Sequence, residues 1–208
     1  MEEYNSRILQ AKQAIKQADF IIIGAGSGLS TAAGLEYGGE SFRNDYKEFI
    51  DKYHFEDLYS ASFYDFKTQE EKWAFFAKMI KLNRYNEKPL ELYQKLYEIV
   101  ESKEYFILST NVDGQFYNSG FDNDKVFEVQ GDYSYLQCEN ACHNKLYNNK
   151  GFNTPGIIRF PFEQMTDNSS KTTLIRINKD HPLPMLEIRN KTISFCEDLN
   201  QIVGDLKE

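Results

Sequence analysis

Residues 20–34 read Phe20-Ile21-Ile22-Ile23-Gly24-Ala25-Gly26-Ser27-Gly28-Leu29-Ser30-Thr31-Ala32-Ala33-Gly34, and no other stretch restricts the fold as strongly. The apolar run that follows Asp19 is short. It suits a strand covered on both faces, as in a parallel sheet. Three glycines at alternate positions then permit a sharp turn and a close approach of the backbone to a ligand. A helix opening near Leu29 points its positive dipole end at that ligand, which suits an anion, above all a diphosphate. The ordinary dinucleotide fingerprint has its third glycine where this chain has Leu29. The same residues also suit a tight strand-to-helix turn that holds no ligand.

A chain of 208 residues fits one compact domain, or one with a small appendage. Its 24 basic and 32 acidic residues give a formal charge of −8, which argues against nucleic acid or an anionic membrane as a general partner. No apolar run approaches the roughly 20 residues of a membrane span. The start Met1-Glu2-Glu3-Tyr4 lacks the basic-then-apolar order of a signal peptide. Three cysteines, an odd number, argue against a disulfide scaffold and fit a reducing cytoplasm.

Ile8, Ala11, Ile15 and Ala18 recur at helical spacing ahead of the Asp19–Ile23 strand. Residues 34–43 read as a loop by composition. From Asp45 to about Arg84 the chain is dense in Phe and Tyr, and Trp73, Phe76, Ala77 and Ile80 mark one helix face. That face reads as core or as the wall of a substrate groove. A further helix after Pro89 turns Leu92, Leu96, Ile99 and Val100 inward. Strands are expected over Glu104–Ser109, Lys125–Val129, Leu174–Asn178 and Thr192–Cys196, with a closing helix over Glu197–Leu206. Short apolar strands alternating with helices predict an α/β, Rossmann-like, doubly wound parallel sheet. Ligands bind such sheets at the carboxyl ends of the strands.

Two of those ends carry polar residues: Ser109-Thr110-Asn111-Val112-Asp113-Gly114, and Gln130-Gly131-Asp132 after Val129. Asn111 and Gln130 can donate and accept, and an ionised Asp113 accepts. These groups suit ribose hydroxyls and a carboxamide. Asn111, Asp113 and Gly114 also suit a plain turn.

The Gly24-Ala25-Gly26-Ser27 start, Ser109 to Gly114, and Glu128-Val129-Gln130-Gly131 together resemble the sirtuin family. Ile175-Arg176-Ile177-Asn178 and Cys196 fit the same pattern further along. The resemblance implies a Rossmann-like NAD domain with a small insert domain and chemistry at the nicotinamide ribose. It also implies a cofactor-binding set of Gly24, Ala25, Gly26, Ser27, Ser30, Phe42, Arg43, Thr110, Asn111, Asp113, Gln130, Asn178 and Cys196. Within that set Gly24, Ala25, Gly26 and Ser30 hold the diphosphate, and Phe42 and Arg43 sit in a mobile loop over NAD. Asn111 and Asp113 line the nicotinamide and ribose pocket, Asn178 and Cys196 lie near the adenosine end, and the catalytic residues are Asn111 and Gln130.

Gln130 stands where deacylating sirtuins have a catalytic histidine. A side-chain amide hydrogen-bonds but has no usable basicity near neutral pH. Loss of a positioned general base removes a factor of about 10²–10⁴ in rate, so weak or absent deacylation is expected. This substitution, the Gly24-to-Ser30 start, and Arg159-Phe160-Pro161-Phe162-Glu163-Gln164-Met165-Thr166 resemble the macrodomain-associated (class M) bacterial sirtuins. That resemblance implies protein mono-ADP-ribosyltransferase activity on a lipoylated glycine-cleavage H-like carrier protein, with a macrodomain hydrolase as a further partner.

Sirtuins usually carry two cysteine pairs for zinc. Here Cys138 and Cys142, with His143 adjacent, form one pair and no second follows, so a four-ligand zinc site is not expected. The segment Tyr147 to Pro155 runs on without the apolar strand that class members place there: either the chain is naturally trimmed, and the sheet then lacks a strand beside the ligand, or a stretch is missing near residues 149–151. The expected organisation is one sirtuin-like NAD-binding domain over 1–208, a helical aromatic-rich insert over 42–84, and a truncated remnant of the small domain over 132–156. His54, His143 and His181 are too scattered to suggest a triad or a metal cluster, and Glu36 suits contact with ribose or acceptor, or a loop cap, equally. Two other readings stand beside the transferase: a weak NAD-dependent deacylase or NAD glycohydrolase, and a non-catalytic NAD-binding module.

Overall fold

The computed structural model describes residues 3–35, 37–85, 88–137, 145–148 and 162–207. Helix α1 (Tyr4–Gln17) leads into strand β1 (Phe20–Ala25) and helix α2 (Ser27–Ala32). Helices α3 (Gly39–Asp45), α4 (Lys47–Tyr53), α5 (Leu58–Ser62) and α6 (Gln69–Ile80) follow, and α6 runs into a single π turn, Lys81–Tyr85. Next come α7 (Glu91–Val100), β2 (Glu104–Ser109), α8 (Gln115–Asn118), β3 (Val126–Glu128), β4 (Tyr135–Gln137) and β5 (Leu146–Asn148). Helix α9 (Phe162–Asn168), β6 (Leu174–Ile177), β7 (Thr192–Phe195) and α10 (Leu199–Lys207) complete the described chain.

Strands β1, β2 and β3 pair in parallel in that order, with Ala25 opposite Ser109 and Ser109 opposite Glu128. Those three residues therefore form one row at the carboxyl end of the sheet. Strands β6 and β7 form a separate parallel pair, and β4 and β5 an antiparallel one. Among the described residues the parallel strands thus lie in two sheets, and no strand pairs with the free edges of β1 and β6. Helix α10 packs on both α7 and α1, and Asn200 Nδ2 donates to the Ala32 carbonyl at 2.7 Å.

The strands expected from the sequence are present. Coverage differs. Ile21, Ile23 and Ala25 pack into a core with Leu29, Leu92, Tyr93, Val100, Tyr105, Ile107 and Phe116. Phe20 and Ile22, on the other face of β1, are 54 % and 43 % exposed, and Phe127 of β3 is 54 % exposed. The Phe20–Ile22–Gly24 face of β1 is therefore only partly covered among the described residues: the α2, α7 and α8 side chains of that core lie on the Ile21–Ile23–Ala25 face, and Phe162 of α9 meets the opposite face at Gly24.

A second core occupies the helices after residue 38. Phe42, Tyr46, Phe55, Leu58, Ala61, Phe75, Met79 and Ile80 are buried there. The ring of Phe42 stacks on Tyr46 with centroids 5.2 Å apart, and Phe49 meets Phe75 edge-on at 5.4 Å. Such pairs add about 0.5–1.5 kcal/mol each beyond the area they bury. The inward face of α6 is Phe75, Met79 and Ile80, with Phe76 partly covered. Trp73 is 39 % exposed and Ala77 lies outside, so the face expected from Trp73, Phe76, Ala77 and Ile80 is rotated by about one residue. The several aromatic neighbours that close around Phe75 select it over Trp73.

Candidate functional site

The glycine turn takes the expected shape. β1 ends at Ala25, Gly26 caps α2 in extended conformation, and Leu29 N donates to the Gly26 carbonyl at 2.9 Å. Leu29 is buried in the core of the sheet, which accounts for an apolar residue where the dinucleotide fingerprint has glycine. A Cβ on Gly28 would meet nothing within 4 Å, whereas one on Gly24 would overlap the ring of Phe162 from α9. Gly24 is thus the place where an aromatic ring meets the strand, a Cβ on Gly26 would sit 3.4 Å from Thr110 Oγ1, and the open backbone is at Gly28. Ser27 is exposed in the first turn of α2, a helix of only six residues.

Behind that turn lies a buried polar cluster. Ser30 Oγ donates to Asp113 Oδ2 at 2.6 Å and lies 3.0 Å from the Tyr93 hydroxyl. Asn111 Nδ2 donates to the same hydroxyl at 3.1 Å, and Asn111 N donates to Ser109 Oγ at 3.0 Å. Asp113 Oδ1 accepts from Gln115 N at 3.0 Å, and Gln115 Oε1 accepts from Leu90 N at 3.1 Å. Thr110 N donates to the Ala25 carbonyl at 3.0 Å, which stitches the loop after β2 to the end of β1. Three chain segments are thereby fixed against one another: the start of α2, the inward face of α7 and the loop after β2.

The structure brings Ser30, Asn111 and Asp113 together but does not turn all three toward a ligand. Ser30 and Asp113 are fully buried, and both Asp113 oxygens are engaged within the chain. Burial drives the Asp113 carboxyl above the usual carboxylate range, against the opposing pull of its Ser30 and Gln115 hydrogen bonds. Ser30 and Asp113, expected at the diphosphate and the nicotinamide, hydrogen-bond each other in this structure. Phe42 differs as well: it is 2 % exposed in α3 and belongs to the aromatic core rather than to a mobile loop. Arg43 is exposed on the same helix.

Gln130 lies half-buried in the turn that ends β3, where Gly131 N donates to the Glu128 carbonyl at 3.0 Å. Two residues on, Asp132 forms a two-pronged ion pair with Arg84 of the π turn: Nε to Oδ1 at 2.8 Å and Nη2 to Oδ2 at 2.9 Å. Burial raises the Asp132 pKa, and the bonds from Arg84 and Ser134 more than reverse it, leaving the carboxyl below its ordinary value. Glu128 has no such help. Both of its carboxyl oxygens are buried and without a hydrogen-bond partner, and burial, with Asp132 and Asp113 adding repulsion, pushes its pKa to about 9.

Arg84 and Tyr93 were not singled out from the sequence, and Glu128 and Asp132 stood only within quoted motifs, with no role of their own. Tyr93 carried one readable signal, a hydroxyl-bearing ring beside Leu92 on the inward side of α7. The Arg84 pair spans 48 positions and left no local trace.

Asn178 and Cys196 lie at the ends of β6 and β7. Asn178 Oδ1 accepts from Asp180 N and His181 N, closing the turn after β6. Cys196 N donates to Glu197 Oε2, and its half-buried thiol lines a cavity of about 380 Å3 with Arg7, Gln10 and Arg189. Among the described residues neither is hydrogen-bonded to the Ser30–Asp113 cluster. Cys138, Cys142 and His143 lie outside the described residues, as does most of the 132–156 segment. No described helix is long and apolar enough to cross a membrane.

Solved structures share this fold. A Sir2 homologue mutant in complex with ADP-ribose superposes over 100 % of this chain and 95 % of its own, with a TM-score of 0.59 and 13 % identity. A Sir2 homologue in complex with NAD covers 96 % of this chain and 92 % of its own, with a TM-score of 0.57 and 14 % identity. The chain has the Sir2 fold.

In sequence, the Sir2-fold chain is similar to a protein ADP-ribosyltransferase of Staphylococcus aureus (strain Mu50 / ATCC 700699). They are 37 % identical over 149 residues, 72 % of this chain and 47 % of the relative. It is also similar to a probable bifunctional ADP-ribose hydrolase/ADP-ribosyltransferase of Fusarium oxysporum f. sp. cubense, with 31 % identity over 137 residues, 64 % of this chain and 22 % of the relative. The chain thus spans about half the length of the first relative and about a fifth of the second. No protein-family model matches it.

Proposed function

We propose that the chain is an NAD-dependent protein mono-ADP-ribosyltransferase of sirtuin type. The observation that carries this reading is the 37 % identity with a relative named protein ADP-ribosyltransferase, on a fold whose solved neighbours hold NAD and ADP-ribose. The residues present fit the co-substrate. Gly28 leaves backbone open after the strand end for a diphosphate, and Thr110 and Asn111 follow the adjoining end of β2, which pairs with β1 at Ala25–Ser109.

In the transfer, the bond between the ribose anomeric carbon and the nicotinamide nitrogen breaks, and nicotinamide leaves with the electron pair as a neutral molecule. A nucleophilic atom of the acceptor bonds to that carbon, and its proton passes to solvent. Asn111, anchored through Tyr93, orients the ribose. Gln130 holds a ribose hydroxyl or the acceptor without ionising, which suits transfer better than acyl removal. Asp113 acts from behind by fixing Ser30 and the loop that bears Asn111. No step needs zinc.

Site occupancy by Gly24, Ala25, Gly26, Ser27, Thr110, Asn111 and Gln130 is part of the same proposal, as is a macrodomain-associated (class M) assignment. A lipoylated carrier protein is the proposed acceptor. The hydrolase half of the Fusarium relative's name favours a macrodomain hydrolase as the partner that reverses the modification. The test is incubation with NAD labelled in its ADP-ribose part and a lipoylated H-like carrier. Label moves to the carrier if the reading is right. A folded chain that releases no nicotinamide and transfers no label overturns it.

A further inference from the structure

We propose that Arg84 is a positioning residue, holding the loops that bear Asn111 and Gln130 in one fixed geometry and tying both to the aromatic helical segment. Three observations converge on its guanidinium. First, it grips Asp132 with both prongs, at 2.8 and 2.9 Å, and the two side chains are only 14 % and 10 % exposed. Asp132 Oδ1 also accepts from Ser134 N at 2.7 Å and Ser134 Oγ at 2.8 Å, so the segment after Gln130 is wound around that carboxylate.

Second, the guanidinium lies against Gly114, where a Cβ would overlap it. Gly114 has φ +68 and connects Asp113 to Gln115, whose N–H holds Asp113 Oδ1. One planar group therefore touches both strand-end loops at once. Third, Arg84 is presented by the π turn at the end of α6, anchored where Asn83 Nδ2 donates to the Met79 carbonyl at 2.8 Å. Wide turns of this kind are uncommon and re-aim side chains at functional positions. Tyr133, next to Asp132, packs against the same aromatic core that α6 enters.

The chemistry favours geometry over stability as the reason for this pair. Two buried charges lose about as much hydration as their attraction returns, so a buried pair is a weak source of net stability. A rigid two-pronged fork does restrict direction, which a lysine ammonium cannot do. Misplacement of a reacting group by about 1 Å costs on the order of 100-fold in rate.

The kinetic arm of this inference rests on the transferase reading; the structural arm does not. Arg84→Lys and Asp132→Asn are compared with the unaltered chain by peptide-resolved hydrogen exchange and by nicotinamide release. The expected result is joint loss of protection over residues 110–116 and 128–135 in both variants, with strands β1 and β7 unchanged. Alongside it, kcat should fall roughly ten- to a hundredfold while KM for NAD stays within about threefold. Exchange that is unchanged in both loops, or that rises evenly along the chain, overturns the proposal. So does a rise in KM with kcat intact. If the unaltered chain releases no nicotinamide, the transferase reading fails while the exchange result still decides the role of Arg84.

Discussion

Ser30 on α2 and Asp113 after β2 stand 83 positions apart in the chain and share a 2.6 Å hydrogen bond inside the fold, with Tyr93 touching the same serine hydroxyl. The glycine turn after β1 is thus braced by a carboxyl that faces inward. Ser30→Ala removes one of the two donors to Asp113 and leaves a buried oxygen unpaired, which costs about 1–3 kcal/mol. Denaturant unfolding should show that loss. Ser30→Thr, which keeps the hydroxyl, should recover part of it, and equal stability of Ser30→Ala and the unaltered chain contradicts the bracing role.

Glu128 sets a pH dependence. Its folded pKa of about 9 lies above the ordinary 4.5, so the folded chain keeps a proton that the unfolded chain gives up. The contribution of this group is therefore most favourable below pH 4.5, is lost progressively as pH rises to about 9, and is constant beyond. Glu128→Gln removes that dependence. Relative to the unaltered chain the variant should gain stability between pH 5 and pH 8, by up to about 4 kcal/mol. Denaturant midpoints at the two pH values measure it, and a variant that gains nothing on the unaltered chain, or loses ground to it, between pH 5 and pH 8 refutes the assignment.

Much of the fold was readable because its signals are local. The Glu104–Ser109 strand was expected at its observed bounds, and Leu92 and Val100 do face inward on α7. The misplaced face of α6 shows the limit: Phe75 and Phe76 both suit a helix, and only the rings arriving from Phe49, Phe55 and Phe66 decide between them. The site divides the same way. Gly26, Asn111 and Gln130 were marked by residue type beside a strand end. Tyr93 and Arg84 matter through partners 18 and 48 positions away, and residue type alone does not encode that pairing.

Gly24 and Phe162 make a second paired prediction. The Phe162 ring occupies the space a Cβ would need, so Gly24→Ala must displace the ring or shift the strand. Overpacking of this kind costs typically about 1–3 kcal/mol. The double substitution Gly24→Ala with Phe162→Ala should be less destabilised than the two single losses added together, and simple additivity refutes the contact.

The sharpest test lies at Gln130. A histidine there brings a ring with a pKa near 6.5, able to accept a ribose hydroxyl proton at neutral pH, where the amide cannot. On an acyl-lysine peptide with NAD, Gln130→His should raise deacylation by as much as about 10²–10⁴-fold over the native chain, in line with the gain from a positioned general base. Transfer of ADP-ribose to the carrier should not rise with it, because that step asks Gln130 only to hold and orient. Asn111→Ala should abolish both activities, since each needs the ribose fixed through the Tyr93 anchor. If the native chain already deacylates as fast as Gln130→His, the amide is not what distinguishes this site, and the transferase reading loses its chemical basis.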